Sequence, residues 1–237
     1  MISRTITMSV AQKPWREAAS LLLVAPTTVN GQTTFSFLTM KRSSQSSFMP
    51  NGIVFPGGTV SPADSSAEWT KIFERAGTNV RQFKYMHPNA HRPEIYKVDT
   101  DPDQLSREVS LRITAIRETF EECGILLSRG IDMTDNKTTT AENPPGLRDP
   151  DVIIKWQKIV KDKPESFLEL CDNHAVVPDL QRLSEWSNFL TPCTYENRQR
   201  FDTIFYMAIV PTQLPLVIDT YEAESAEVIE LEYLKHS

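Results

Sequence analysis

The sequence predicts a mixed α/β fold, and three stretches carry that expectation. Residues 18–25 are a short apolar run ending at Pro26, which suits a buried strand. Residues 105–127 carry apolar side chains at helical spacing. Residues 201–210 (FDTIFYMAIV) are rich in Phe, Ile, Tyr and Val and read as a second buried strand. The 237 residues allow one large domain or two small ones at ~100–200 residues each.

The remaining elements follow in order. Asn30-Gly31, within 27–32, is a hairpin signal. Residues 33–42 then read as its second strand, ending basic, and 43–51 as a Ser-rich loop. Residues 53–55 form a short strand that runs into Pro56-Gly57-Gly58. A short helix is expected over 65–76, with Trp69, Ile72 and Phe73 on one face. Gly77, Pro88, Pro93 and Pro102 follow with little periodicity, so about 65–104 reads as a loop-rich, partly helical insertion.

On a helical wheel with Glu118 at zero, Leu105, Val109, Ile113, Ile116, Phe120, Cys123 and Leu127 fall at about 140–220°. Glu118, Glu121 and Glu122 fall between about −60° and +40°. One face therefore packs into a core while the opposite face carries three carboxylates. Asp103 or Ser106 is the expected cap, and Gly124 marks a C-cap or a close backbone approach. Pro144-Pro145 breaks the chain; 151–160 and 166–171 read as helices, 214–218 as a strand beside 201–210, and 222–234 as weakly alternating.

Composition narrows the function classes. Hydrophobic residues at 40% and charged residues at 24% are those of an ordinary globular protein. A net charge of −6 lacks the basic footprint of sequence-independent nucleic-acid binding. The longest apolar run, near 21–24, falls far short of the ~20 residues of a membrane helix. Cys123, Cys171 and Cys193 are odd in number and widely spaced, which favours a reducing, intracellular compartment over a disulfide framework. Nothing in the pattern specifies an oligomeric state. Cys171-x2-His174 and His87-x3-His91 have zinc-like spacings but make unrelated pairs, better read as loop residues. Asp99-x-Asp101-x-Asp103 resembles the start of a calcium loop, yet Gln104 stands where such a loop needs Gly and Ser110 where it needs Glu. The first sixteen residues hold Arg4, Lys13 and Arg16 and no acid, the composition of a solvated tail or a short transit peptide.

The chemistry concentrates in Arg117-Glu118-Thr119-Phe120-Glu121-Glu122-Cys123-Gly124-Ile125, with Phe55-Pro56-Gly57-Gly58 and Asp64 upstream. Carboxylates at i, i+3 and i+4 converge on one helical face. Clustered anions repel unless cations neutralise them, and hard Mg²⁺ takes oxygen ligands from protein, water and phosphate. Arg117, four residues before Glu121, is placed to hold that carboxylate in one rotamer. Gly58 lets backbone approach the metal. An isolated Glu-Glu on a helix is ordinarily a solvated face, but Arg-Glu-x-x-Glu-Glu-x-Gly arises by chance only about twice in ten thousand such chains.

On these residues the chain resembles the Nudix hydrolases, whose box runs Gly-x5-Glu-x7-Arg-Glu-hydrophobic-x-Glu-Glu-x-Gly-hydrophobic. Gly58 starts the box and Arg117 to Ile125 completes it, with Asp64 in place of Glu and Thr119 in place of a hydrophobic residue. Fifty-two residues separate Asp64 from Arg117 where the family has seven, an insertion of 45. That interruption is similar to the coenzyme A diphosphatase subgroup, the nucleoside diphosphate-linked moiety X motif 19 type. Arg16-Glu17-Ala18-Ala19, Phe48-Met49-Pro50 and Arg200-Phe201-Asp202-Thr203 also look similar to it.

The resemblance implies a Nudix-type α/β/α sandwich with a mixed sheet, as one domain over 15–237 behind a tail, 1–14. It implies Mg²⁺ or Mn²⁺ held by Glu118, Glu121, Glu122 and the Gly58 carbonyl, with Arg117 orienting. It implies a small-molecule substrate linked through a nucleoside diphosphate, namely coenzyme A, acyl-coenzyme A, NADH or ADP-ribose. A box carboxylate, Glu224 or Glu227 would take the proton. Lys41 and Arg42 match the subgroup's Leu-Leu-Thr-x-Arg-like stretch loosely, and serve either as phosphate contacts or as solvated charges. A peroxisomal location is implied too, although Lys235-His236-Ser237 is not a Ser-Lys-Leu address, and mitochondrion or cytosol stays open. Relatives of this type continue past the position of Glu227 into further sheet or helix; 229–237 does not resemble that continuation and reads as a shortened end. The other class of reading is a non-catalytic module that keeps the fold and binds the ligand without turnover.

Overall fold

The structure, a computed structural model, describes residues 15–46, 49–83, 92–97, 101–131, 140–192, 199–211, 214–219 and 223–230. The tail 1–14, Phe48, His87, His91, Asp99, Cys193 and the terminal Lys235-His236-Ser237 lie outside them.

Ten strands and four helices alternate along the chain in the described residues: β1 Arg16–Val29, β2 Gln32–Arg42, β3 Ile53–Val54, β4 Gly57–Thr59, α1 Trp69–Arg75, α2 Arg107–Cys123, β5 Leu127–Gly130, β6 Thr140–Glu142, α3 Pro150–Asp162, α4 Ser166–Asn173, β7 Val176–Pro178, β8 Ser184–Leu190, β9 Phe201–Ile209 and β10 Ala223–Glu230. The main sheet is mixed, in the order β10-β2-β1-β9-β8, with β3 joined to β2 and β4 to β1. β1 and β9 run parallel from Arg16↔Phe201 to Val24↔Ile209, and the other pairs are antiparallel. A small second sheet, β6-β5-β7, follows α2.

The expected α/β class is the observed one, with local differences. β1 does not end at Pro26. By that point β9 has left, so the strand is paired on one side only, where proline is tolerated. Asn30 and Gly31 both have positive φ, at 51° and 79°, as a two-residue hairpin turn requires. The helix expected over 65–76 divides into a 3₁₀ turn, Pro62–Ser65, and α1. Residues 214–218 form no strand; they cover the C-terminal end of α2.

The core lies between α2 and one face of the main sheet. Leu21 and Leu23 of β1, Tyr206 and Ala208 of β9, and Ile113, Ile116 and Phe120 of α2 are among its buried members. α2 is shorter than its apolar pattern, since Leu105 precedes it and Leu127 already begins β5. Gly124, at φ 70°, ends it, and a side chain there would also strike Ile153 of α3.

The stretch between the two halves of the acidic motif is a closed excursion. It leaves at Ser65 and returns at Leu105, where the Leu105 N–H donates to the Ser65 carbonyl at 2.8 Å. Inside it, Trp69 is 1% exposed, stacks obliquely on Phe167 of α4 at 5.7 Å and donates its indole N–H to Ala63. Further on, Arg92 pairs with Glu108 of α2 and Glu185 of β8, and the Tyr96 hydroxyl meets that of Tyr206 at 2.8 Å. The excursion is therefore packed onto the domain at both ends. Trp69→Ala is expected to cost about 3–5 kcal/mol, measured as a lower urea midpoint at unchanged slope.

Candidate functional site

β4 and α2 build the site together. Gly57 and Gly58 sit on a strand pressed against β1, where a side chain at Gly57 would lie 2.5 Å from the Ala19 carbonyl. A Cβ at Gly58 would stand 2.4 Å from the Glu118 carboxylate, so the missing side chain makes the seat that Glu118 fills. One turn along, Glu122 accepts the Gly57 N–H at 2.8 Å.

Arg117 is the hub. It is 2% exposed, and each edge of its guanidinium meets oxygen. Nε and Nη2 donate to the two Asp64 oxygens at 2.8 and 2.9 Å, a bidentate pair. Nη2 also donates to the Thr59 carbonyl at 3.1 Å, while Nη1 lies 2.6 Å from Glu121 and 2.9 Å from Glu118. Burial lowers a cation's pKa, but the surrounding carboxylates outweigh it and hold Arg117 above its ordinary value.

Asp64 is itself pinned. It accepts the Ser61 N–H at 2.9 Å, closing a capping box, and the Thr114 hydroxyl at 2.7 Å. Its shorter side chain thus spans the distance to Arg117 across 53 positions of sequence. Thr119 donates its buried hydroxyl to the Ala115 carbonyl, which satisfies it within the helix.

Three further groups hold the carboxylate end of α2, and none has a periodic sequence signal. Gln157 donates to the carbonyls of Phe120, Glu121 and Val217. Val217 and Asp219 donate their N–H groups to the Cys123 and Glu122 carbonyls at 3.0 and 3.1 Å. Asn143, at φ 48°, bridges Gly124 and Leu126 through its side-chain amide. Together they satisfy the carbonyls that a helix end leaves open.

The other sequence candidates have contacts of their own. Lys41 pairs with Glu224 at 3.0 Å on the β2–β10 edge, and Lys41 with the Ser44 N–H holds the Glu224 carboxyl below the usual range. Arg42 has a buried Nε without a hydrogen-bond partner. Glu227 is exposed on β10. Cys171 is buried within α4, and Asp101 accepts the Asp103 N–H in a local turn.

Among the described residues, no three His, Cys, Asp or Glu side chains converge as they would around a metal ion. The donor chemistry nonetheless fits a hard divalent cation, because the side-chain ligands on offer are all carboxylates and they gather where Gly58 carries no side chain.

The family described as NUDT19 Nudix domain matches residues 15–235. The chain belongs to the Nudix family. A Gallus gallus protein named acyl-coenzyme A diphosphatase NUDT19 is 37% identical over 222 residues, 88% of this chain and 58% of its own length. Its Homo sapiens namesake is 32% identical over 88% of this chain and 59% of its own. The Nudix chain thus spans about three fifths of the length of these curated relatives. A Nudix hydrolase structure from Alicyclobacillus acidocaldarius shares the fold at a TM-score of 0.65 and 22% identity, over 94% of this chain and 82% of that one.

The Nudix carboxylates are electrostatically crowded. Burial, then Glu121 and Asp64, push the Glu118 carboxyl from its ordinary 4.5 up to about 8, against the opposing pull of Arg117. The metal-free folded state thus keeps a proton that the unfolded chain releases near pH 4.5. Its stability from this group is full below that pH and is lost as pH rises through about 8. A divalent cation favours the ionised form. Mg²⁺ or Mn²⁺ is therefore expected to raise Tm more at pH 8 than at pH 6; equal shifts in a thermal melt would contradict this.

Proposed function

We propose that this Nudix domain hydrolyses the diphosphate of a nucleoside diphosphate-linked compound in a reaction that depends on Mg²⁺ or Mn²⁺, with coenzyme A or acyl-coenzyme A as substrate. The products are adenosine 3′,5′-bisphosphate and 4′-phosphopantetheine or its acyl form. The observation that carries this reading is the seating of Glu118 over the bare backbone of Gly58 with Glu122 on the Gly57 N–H. The similarity to proteins named acyl-coenzyme A diphosphatase supports the substrate class.

When bound, the cation supplies charge neutralisation on the diphosphate and makes an attacking water more acidic. Glu118, Glu121 and Glu122 would hold it. Arg117 keeps Glu118 and Glu121 side by side, so their orientation is set before substrate arrives. The Gly57 N–H fixes the Glu122 rotamer, and Gln157 with 217–219 holds the turn that carries it. Glu224 is engaged by Lys41 and Ser44, so we assign the proton acceptor to a box carboxylate rather than to Glu224.

Glu122→Gln retains an acceptor for the Gly57 N–H and removes the charge. It is expected to lower kcat by about 10²–10⁴ while circular dichroism and Tm stay near wild type. The screen that tests the function follows products from coenzyme A, acyl-coenzyme A, NADH and ADP-ribose with each metal. Cleavage of coenzyme A at the diphosphate supports the proposal. Tight ligand binding with no products under either metal would instead identify a non-catalytic module.

A further inference from the structure

A second polar feature lies at the far end of β4. Past Gly58 the strand runs through Thr59 into the 60–62 turn, which forms one wall of a cleft of about 280 Å³. Arg16 and Glu17, at the start of β1, form another wall. Gln104 and Arg107, where the excursion returns and α2 begins, form the third.

In a chain of net charge −6, this cleft gathers two guanidinium groups and one carboxylate. Arg107 pairs with Glu17 at 2.8 Å, and its Nε is buried with no hydrogen-bond partner. Arg16 is exposed and donates to the Thr59 hydroxyl at a long 3.3 Å, its guanidinium 6.0 Å from the centre of the Phe201 ring. These contacts use a minority of the donors that two guanidinium groups carry. Glu17 neutralises one of the two charges, and burial pushes its carboxyl up, against Arg107 and together with nearby Asp202. Among the lining side chains, Arg16 keeps a fork of N–H donors that no carboxylate of the lining engages. That pattern suits a phosphate monoester, which takes several charge-assisted hydrogen bonds at once.

The cleft is also adjacent to the box. Two residues of extended chain, Gly58 to Val60, cover about 7 Å, and the Thr59 carbonyl between them already accepts from Arg117. A phosphate ester lying one ribose away from a diphosphate seated at Gly58 reaches that distance.

We propose that the Arg16–Arg107 cleft is an anion subsite that takes the phosphate monoester carried beside the diphosphate by a coenzyme A-type nucleotide. This deepens the function proposed above and rests on it for the identity of the ligand. Arg16 is the specificity-determining residue, because it lines the cleft and, unlike Arg107, has no carboxylate partner among the described residues.

The test is calorimetric binding of adenosine 3′,5′-bisphosphate, of adenosine 5′-monophosphate and of inorganic phosphate, with Mg²⁺ present. The wild type is expected to prefer the bisphosphate over the monophosphate by about tenfold. Arg16→Gln removes that preference while monophosphate affinity stays as it was. Gln104→Glu, which places a negative charge at the rim without touching an ion pair, removes it as well, so the result does not depend on one variant folding. A wild type with no preference, or a preference that survives both substitutions, overturns the subsite. Inorganic phosphate that binds the wild type but not Arg16→Gln, with no bisphosphate preference, identifies a free-anion site and also overturns the assignment to substrate. A preference lost in Arg16→Gln in a protein that cleaves no coenzyme A keeps the subsite and removes the hydrolase reading; coenzyme A cleavage with no preference does the reverse.

Discussion

A buried guanidinium has to be surrounded by acceptors, and at Arg117 the chain draws them from three separate places. Asp64 comes from the turn after β4, the Thr59 carbonyl from β4 itself, and Glu118 and Glu121 from the same helix as the arginine. Removing a partner from a buried charge costs about 3–5 kcal/mol, so each of these elements is tied to the position of one planar group. That constraint explains how an acidic motif interrupted by a long excursion remains one site. The Ser65–Leu105 hydrogen bond closes the excursion at its base, and Asp64, immediately before that closure, carries the contact across.

The same arrangement stores electrostatic tension. Three carboxylates share one arginine, and Glu118 responds by holding its proton to about pH 8. A cation that favours the ionised form of that carboxyl couples its own binding to the stability of the domain. The far end of α2 has a complementary task. Gln157, Asn143 and the 214–219 segment satisfy its last carbonyls, and Gly124 admits Ile153 and Val217 where a side chain would collide. The carboxylate face is thereby held at both ends of the turn that bears it.

Much of this was legible because it depends on local spacing. Carboxylates at i, i+3 and i+4, an arginine four residues before one of them, paired glycines in a glycine-poor chain and an Asn-Gly hairpin all have signatures that fit within a few residues. What escaped has no such signature. Gln157 reaches its carbonyls across more than thirty residues of sequence, and a lone glutamine on a helix reads as solvated. β5, β6 and β7 have four, three and three residues, too few for alternation to register. β8 carries a register shift between Glu185 and Ser187 that breaks its period of two. Residues 214–218 are apolar because they seal a helix end, and composition alone does not separate that from a strand. The cleft at Arg16 and Arg107 joins residues more than ninety positions apart and is visible only once β1 and α2 are in place.

The proposed function requires the carboxylates organised by Arg117 beside Gly58 to receive a hard divalent cation. Anomalous diffraction at the manganese edge, from crystals of the full chain grown with Mn²⁺, tests it most directly. The expected result is a peak within bonding distance of oxygens from Glu118 and Glu122, next to Gly58. A well-ordered site with no peak there, and Arg117 still holding Glu118 and Glu121 at saturating metal, would contradict it.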